Sequence, residues 1–162
     1  AVATVDRVMA RILILYASTE GQTEKIARYI ADCLRERGER VVGRNVDEIH
    51  DDLSLEEYDG VIAGGSIHIG KIQAPLRKFI RRHRAALEAL PNAFFMVSLV
   101  AASKRPEAAG EIDQLMNAFT KDTGWKPDRA AGLRGLFDEV LAVLPFEPAV
   151  MARLERIAAW SA

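Results

Sequence analysis

Arg11-Ile-Leu-Ile-Leu-Tyr16, followed by Ala17-Ser18-Thr19-Glu20-Gly21-Gln22-Thr23, decides how the rest of the chain is read. The first six residues form a short apolar run with β-branched members. Such a run suits a strand buried on both faces, as in a parallel sheet. A break rich in Ser, Thr and Gly follows at once. Ile26, Ile30 and Leu34 then recur at four-residue spacing with Ala27 and Ala31 beside them, the apolar stripe of an amphipathic helix. Gly38 stands where a left-handed residue would end that helix.

The alternation continues downstream. Val41 to Val46 reads as a weaker second strand, and Asp47 to Asp59 as an acidic, irregular connection. Gly60-Val61-Ile62-Ala63 reads as a third strand that ends in the loop Gly64-Gly65-Ser66-Ile67-His68-Ile69-Gly70. Ala74 to Leu90 is expected to be a helix, with Pro75 in its first turn. Ala93 to Val100 is the fourth strand, running into Ser98-Leu99-Val100-Ala101-Ala102-Ser103. Pro106 opens another helix, in which Ile112, Leu115, Met116 and Phe119 share a face. Strands alternating with helices imply an α/β fold, with a mainly parallel, doubly wound sheet covered on both faces. Past Trp125 the pattern weakens. Leu136 to Phe146 fits a helix, while Val140 to Pro145 alone fits a strand, and periodicity does not separate the two. Pro148 to Trp160 carries Val150, Met151, Leu154, Ile157 and Ala158 on one face of a terminal helix.

With no internal repeat or low-complexity linker, residues 9–162 are expected to form one α/β domain after a short extension, residues 1–8. An apolar fraction of 49% and a charged fraction of 28% belong to an ordinary globular chain. No apolar run approaches the ~20 residues of a membrane-spanning helix. Ala1 to Val8 lack the layout of a signal peptide. Cys33, the one cysteine, cannot form an internal disulfide, which suits a reducing, cytoplasmic setting. It falls inside the first helix, as a structural thiol or as a reactive one. The net charge of -1, from 22 basic and 23 acidic residues, argues against a nucleic-acid partner.

Chemistry concentrates at the strand ends. A helix N-terminus offers unpaired N–H groups and the positive end of its dipole, which attract an anion such as phosphate. Gly21 allows close backbone approach, and the hydroxyls of Ser18, Thr19 and Thr23 can add hydrogen bonds. Taken alone, the segment reads equally as a plain N-cap made by Ser18 or Thr19. It lacks the Gly-Lys-Ser/Thr ending of a nucleoside-triphosphate loop and the several glycines of a dinucleotide loop. Two more strand-end loops shift the balance, because open parallel sheets bind ligands beyond the carboxyl ends of their strands. The third strand offers Gly65, Ser66, Ile67, His68, Ile69 and Gly70; the fourth offers Ser98, Leu99, Val100 and Ala101.

Ser18-Thr19-Glu20-Gly21-Gln22-Thr23 resembles the FMN phosphate loop of flavodoxins, with Glu20 replacing the commoner hydroxyl residue. A carboxylate there would repel phosphate, so Glu20 is expected to face solvent and to offer only its N–H. The resemblance is closer to the flavodoxin-type, quinone-linked protoporphyrinogen oxidases of bacterial haem synthesis. Tyr16 to Leu34 carries it, as do Tyr58 to Phe79 with its Gly-Ser-Ile-His-Ile-Gly, and Leu90 to Ala101 together with Gly124-Trp125-Lys126-Pro127-Asp128-Arg129. The resemblance implies a flavodoxin-like three-layer sandwich, FMN as cofactor, and a porphyrinogen and a quinone as small-molecule redox partners. The tail departs from it: Ala130-Ala131-Gly132-Leu133-Arg134 is only a trace of a fifth strand, and the long basic and aromatic insertion of that branch is short or missing.

Flavodoxins often stack Trp and Tyr on the flavin. Here Ile67, His68, Ile69, Leu99 and Val100 occupy the corresponding loops, which implies a more open ring face. His68 reads either as a solvent-facing loop histidine or as the one candidate catalytic group, donating a hydrogen bond or moving a proton beside the ring. Arg77, Lys78, Arg81, Arg82 and Arg84 read as a solvated helix face, or as a surface for porphyrin propionates or for anionic lipid at the inner face of a membrane. His50 and His83 have no metal-ligand spacing, so no metal site is expected. Two other readings remain open: an electron-transfer flavodoxin without a substrate of its own, against which the near-zero net charge counts, and a flavodoxin-like binding module without flavin.

Overall fold

A computed structural model describes residues 10–18, 21–50, 53–68, 70–97 and 107–133. Among these, the elements follow in the order β1 (Arg11–Tyr16), α1 (Gln22–Glu36), β2 (Arg40–Asn45), β3 (Gly60–His68), β4 (Lys71–Ile72), α2 (Ala74–Glu88), β5 (Asn92–Val97), α3 (Ala108–Thr123) and β6 (Arg129–Leu133). Single 3-10 turns occupy Val46–Glu48 and Leu55–Glu57. The sheet order is β2-β1-β3-β5-β6, all parallel, and β4 pairs antiparallel with the end of β3. The chain moves outward from β1 to β2 and returns to place β3 on β1's other side. The strand order therefore reverses at β1/β3, where such sheets open a crevice beyond their carboxyl ends.

Burial on both faces explains the uninterrupted apolar strands. Ile14, Tyr16, Ile62 and Phe95 pack with Ile26, Ile30 and Leu34 of α1. The alternate residues Leu13, Leu15, Val61, Phe94 and Met96 pack with Leu76, Ile80 and Leu87 of α2 and Phe119 of α3. Two cores on either side of one sheet make a three-layer sandwich. Each fully buried Leu or Ile contributes about 1.5–3 kcal/mol from removal of apolar surface from water. α1 ends as its sequence foretells: Gly38 donates to the Arg35 carbonyl and Glu39 to the Leu34 carbonyl, the paired bonds of a Schellman cap.

Several expectations need correction. Gly64 to His68 is not a loop but the second half of β3. The two glycines do not break the strand; they admit neighbours. A Cβ on Gly64 would collide with the Phe95 ring, and one on Gly65 would lie 2.8 Å from Leu76 Cδ2. The loop shrinks to the β3–β4 hairpin. Val46 belongs to a 3-10 turn rather than to the second strand. The trace of a fifth strand is a full strand, β6, paired with β5 from Ala93↔Arg129 to Val97↔Leu133. Asn92 and Asp128 set that register. The Asn92 N–H donates to Asp128 Oδ2 (3.2 Å), and the Asp128 N–H returns a bond to Asn92 Oδ1 (2.8 Å). Leu90-Pro91-Asn92 and Trp125-Lys126-Pro127-Asp128 thus meet at the amino end of β5, opposite the crevice, and serve strand pairing. The segments 136–146 and 148–160 lie outside the described residues, as do residues 1–8.

The basic face of α2 is partly spoken for. Asp122 on α3 receives Arg77 Nη1 (3.0 Å) and Arg81 Nη2 (3.0 and 3.1 Å), and Arg84 lies 3.6 Å from Glu88. Hydrogen bonds from Arg77 and then Arg81 hold the Asp122 carboxyl below the usual aspartate range. A lowered folded-state value makes this contribution fully present above the unfolded pKa, near 4, and lost as pH falls through the folded value. The carboxylate is 40% exposed, so solvent screening limits the effect to about 0.5–1 kcal/mol. Urea unfolding should show Asp122→Asn less stable than the parent by that amount at pH 7, with the gap closing as pH drops below 4. A gap of unchanged size at pH 3 would contradict the pairing.

Candidate functional site at the carboxyl edge of the sheet

β1, β3 and β5 are adjacent and parallel, with Tyr16 opposite Gly64 and Ser66 opposite Val97. The segments that follow them therefore leave the sheet from one edge. The Ala17 N–H donates to the Gly64 carbonyl (3.0 Å), tying the start of the first loop to β3. Ser18 Oγ accepts from the Gly21 N–H at 2.9 Å. Gly21 is the N-cap of α1 at φ +85°, a left-handed conformation that glycine adopts without strain.

The N-cap is unusual in what it omits. Gly21 has no side chain, and among the described residues no side-chain hydrogen bond caps the first turn of α1. Helices normally satisfy those N–H groups with a Ser, Thr, Asp or Asn cap. Thr23, in the same turn, is 1% exposed, and its hydroxyl has no hydrogen-bond partner among the described residues. An unsatisfied buried polar group costs about 1–3 kcal/mol. Among the described residues, the turn thus keeps donors without a side-chain partner at the β1/β3 crevice. Lys25 is exposed, and the acid of this turn, Glu24, is held by Arg28 (2.8 Å) and by the Tyr16 hydroxyl (3.4 Å). Burial first, and then the Glu24 carboxylate, push the Tyr16 phenol above its ordinary pKa.

The second wall is the β3–β4 hairpin. Ile67 pairs with Ile72, His68 with Lys71, and Gly70 turns at φ +73°. Gly65 lies within the strand against α2. Gln73, just before α2, accepts from the Ser66 N–H (3.0 Å) and donates to Ser66 Oγ. Arg77 Nε donates to the Ile72 carbonyl (2.9 Å), so the first turns of α2 grip both strands of the hairpin. Sequence reading missed Gln73; its place immediately before Ala74-Pro75, the N-cap position of a helix, was the available signal. Ser18, Gly21, Gln22, Thr23, Gly65, Ser66, Ile67, His68 and Gly70 thus gather at one edge. Thr19, Glu20, Ile69, Ser98, Leu99, Val100 and Ala101 lie outside the described residues, and with them the expectation for the Glu20 side chain.

A family model described as a flavodoxin domain matches residues 13–141. The chain belongs to the flavodoxin family. The flavodoxin fold is equally evident in a flavodoxin from Pseudomonas aeruginosa, solved as a mutant, that is 18% identical, with 92% of this chain and 97% of that one covered at a TM-score of 0.57. A flavoprotein from Lactobacillus acidophilus, solved in complex with FMN, is 16% identical over 76% of this chain and 93% of its own, at a TM-score of 0.51. Among curated proteins, the protoporphyrinogen IX dehydrogenase [quinone] of Escherichia coli strain K12 is 34% identical over 126 residues, 77% of this chain and 68% of the relative. That relative's name makes it an oxidoreductase, and this flavodoxin-family chain spans about two thirds of it.

Removing the unpaired hydroxyl separates stability from binding. Thr23→Val keeps the shape of the side chain but deletes a buried group without a partner. Thermal unfolding of the ligand-free protein should show equal or greater stability, by up to about 1 kcal/mol. Flavin affinity, measured by quenching of flavin fluorescence, should fall about tenfold. A destabilised variant with unchanged affinity would show that the hydroxyl serves the fold alone.

Proposed function

We propose that this chain is an FMN-dependent oxidoreductase that oxidises protoporphyrinogen IX and passes the electrons to a quinone. The observation that carries the cofactor reading is the first turn of α1: a glycine N-cap and, among the described residues, no capping side chain and no partner for the buried Thr23 hydroxyl. These donors fit a phosphate. Ser18, Thr19, Gly21, Gln22 and Thr23 would hold it through N–H groups and hydroxyls rather than through a cation, with the helix dipole adding to the attraction. Ser66, Ile67 and His68 of the hairpin, and Ser98, Leu99, Val100 and Ala101 beyond β5, would border the ring. When bound, FMN supplies the redox chemistry, and the protein supplies position, exclusion of water and hydrogen bonds. His68 ends β3 on the hairpin and is the group suited to hold or move a proton near neutral pH.

The substrate reading rests on the Escherichia coli relative and on the resemblance of this chain's Gly-Ser-Ile-His-Ile-Gly and Trp-Lys-Pro-Asp-Arg segments to that branch of the family. Among the described residues no helix is long and apolar enough to cross a membrane. The test is anaerobic incubation of the FMN-loaded protein with protoporphyrinogen IX, with and without a quinone. Protoporphyrinogen gives up six electrons and each FMN or quinone accepts two, so porphyrin fluorescence should stay within one third of an equivalent per bound FMN until quinone is added and then rise to one porphyrin per three quinones. Protein that holds FMN yet forms no porphyrin under these conditions overturns the substrate and leaves the electron-carrier reading.

A further inference from the structure

The Ser66–Gln73 contact fixes more than the shape of the hairpin. A backbone N–H can only donate, so the atom of Gln73 facing the Ser66 N–H must be the amide oxygen, as its 3.0 Å bond requires. That choice turns the amide nitrogen toward Ser66 Oγ, where it donates. Ser66 Oγ is therefore an acceptor toward Gln73, and its own hydroxyl hydrogen is left to point elsewhere. Among the described residues nothing accepts that hydrogen. Ser66 is half-buried on the stretch of β3 just before the hairpin turn, opposite Val97 at the end of β5.

We propose that Gln73 is a positioning residue that makes the Ser66 hydroxyl an obligate hydrogen-bond donor to an acceptor atom on the edge of the flavin ring. The assignment rests on the FMN reading above and deepens it by naming the polarity of one contact. Gln73 itself touches only the protein. Its amide sets which way Ser66 donates, and a group at residue 73 that only accepts reverses that polarity. A carboxylate would still accept from the Ser66 N–H, keeping the hairpin bond, but its second oxygen would take the Ser66 hydroxyl hydrogen. The donor toward the ring would then be lost without loss of the fold.

A double-mutant cycle on the full chain tests this, read by FMN fluorescence quenching, with circular dichroism and thermal unfolding as checks of the fold. Ser66→Ala should lower FMN affinity about threefold to tenfold, the worth of one hydrogen bond. Gln73→Glu should lower it by a similar factor while unfolding at nearly the parent temperature. In the Ser66→Ala background, Gln73→Glu should cost little more, because no donor remains to be redirected. Simple repulsion between the new carboxylate and phosphate would instead persist in that background, and it would be weaker for riboflavin than for FMN. An equal loss in both backgrounds overturns the inference while leaving FMN binding intact. Parent protein that binds no FMN overturns the proposed function together with it. Should Gln73→Glu unfold, Gln73→Leu serves: it loses the Ser66 N–H bond in both backgrounds, so its effect should be smaller in the Ser66→Ala background by the share that depends on the hydroxyl, and an equal effect in both overturns the inference.

Discussion

Aspartate at position 21 should lower FMN affinity by about 100-fold while leaving the protein folded. A Cβ on Gly21 meets nothing within 4 Å, so the effect is not one of space. Two physical terms remain. At φ +85° any residue but glycine is strained, by about 1–2 kcal/mol, with Asp at the tolerant end. A carboxylate at a helix N-terminus also satisfies the N–H groups that a phosphate would use, and it repels the phosphate. Each unit of charge repulsion a few ångströms away amounts to about 1–4 kcal/mol, depending on exposure. The same carboxylate is a favourable partner for the α1 dipole, so the ligand-free protein should keep most of its stability. Gly21→Ala separates the terms: it carries the strain without the charge and should cost about tenfold or less in affinity. Titrations of both variants, beside thermal unfolding, check this. An aspartate variant that binds FMN as tightly as the parent would show that the first turn of α1 does not hold the phosphate.

Gly64→Val should be the most damaging single change to the fold. Tyr16, Gly64 and Phe95 are in register across β1, β3 and β5, and the Phe95 ring occupies the place that a Cβ on Gly64 would take. Phe95 is 2% exposed and packed against the α1 side of the sheet, so the ring has little room to retreat. Overpacking of a dense core costs about 1–3 kcal/mol and sometimes more. Here backbone or ring must shift, so a loss of about 3 kcal/mol or failure to fold is expected. Gly64→Ala should cost less, and Gly64→Ala combined with Phe95→Leu should recover part of that cost. The coupling between these two sites in a double-mutant cycle should exceed about 1 kcal/mol. Gly43→Ala is the control: it lies on edge strand β2 with nothing within 4 Å of its would-be Cβ and should be close to neutral. Chemical unfolding of the parent, of these four variants and of Phe95→Leu alone reads all of this. Additive losses at residues 64 and 95 would contradict the packing.

What could be read from the sequence follows a physical divide. β1 announced itself because burial on both faces leaves an unbroken apolar run, and α1 because its stripe ends at Gly38. β3 was cut short because Gly64-Gly65 has the composition of a break. The rings and methyls that fill the space above those glycines come from Phe95 and Leu76, and no local pattern reports on them. β4 has two residues, too few to show any period. β6 was faint because Ala130, Ala131 and Gly132 have little strand preference of their own; the Asn92–Asp128 exchange aligns them, 36 residues apart. Arg77 and Arg81 are four residues apart, so a shared helix face was legible, but their acceptor Asp122 was not. At the site, the hydroxyls and glycines were named from the sequence. The sequence could not say that Thr23 would be buried without a partner among the described residues, or that Ser66 would be engaged by Gln73, because both depend on what surrounds the group in space.

The central claim is that donors at the start of α1 bind the phosphate of FMN. The most direct measurement is a paired titration of the ligand-free protein with FMN and with riboflavin, which differ only by that phosphate. The account predicts tight FMN binding, riboflavin binding weaker by about 100-fold, and loss of most of that difference in Gly21→Asp. Equal affinity for the two flavins, or no binding of either, would contradict it.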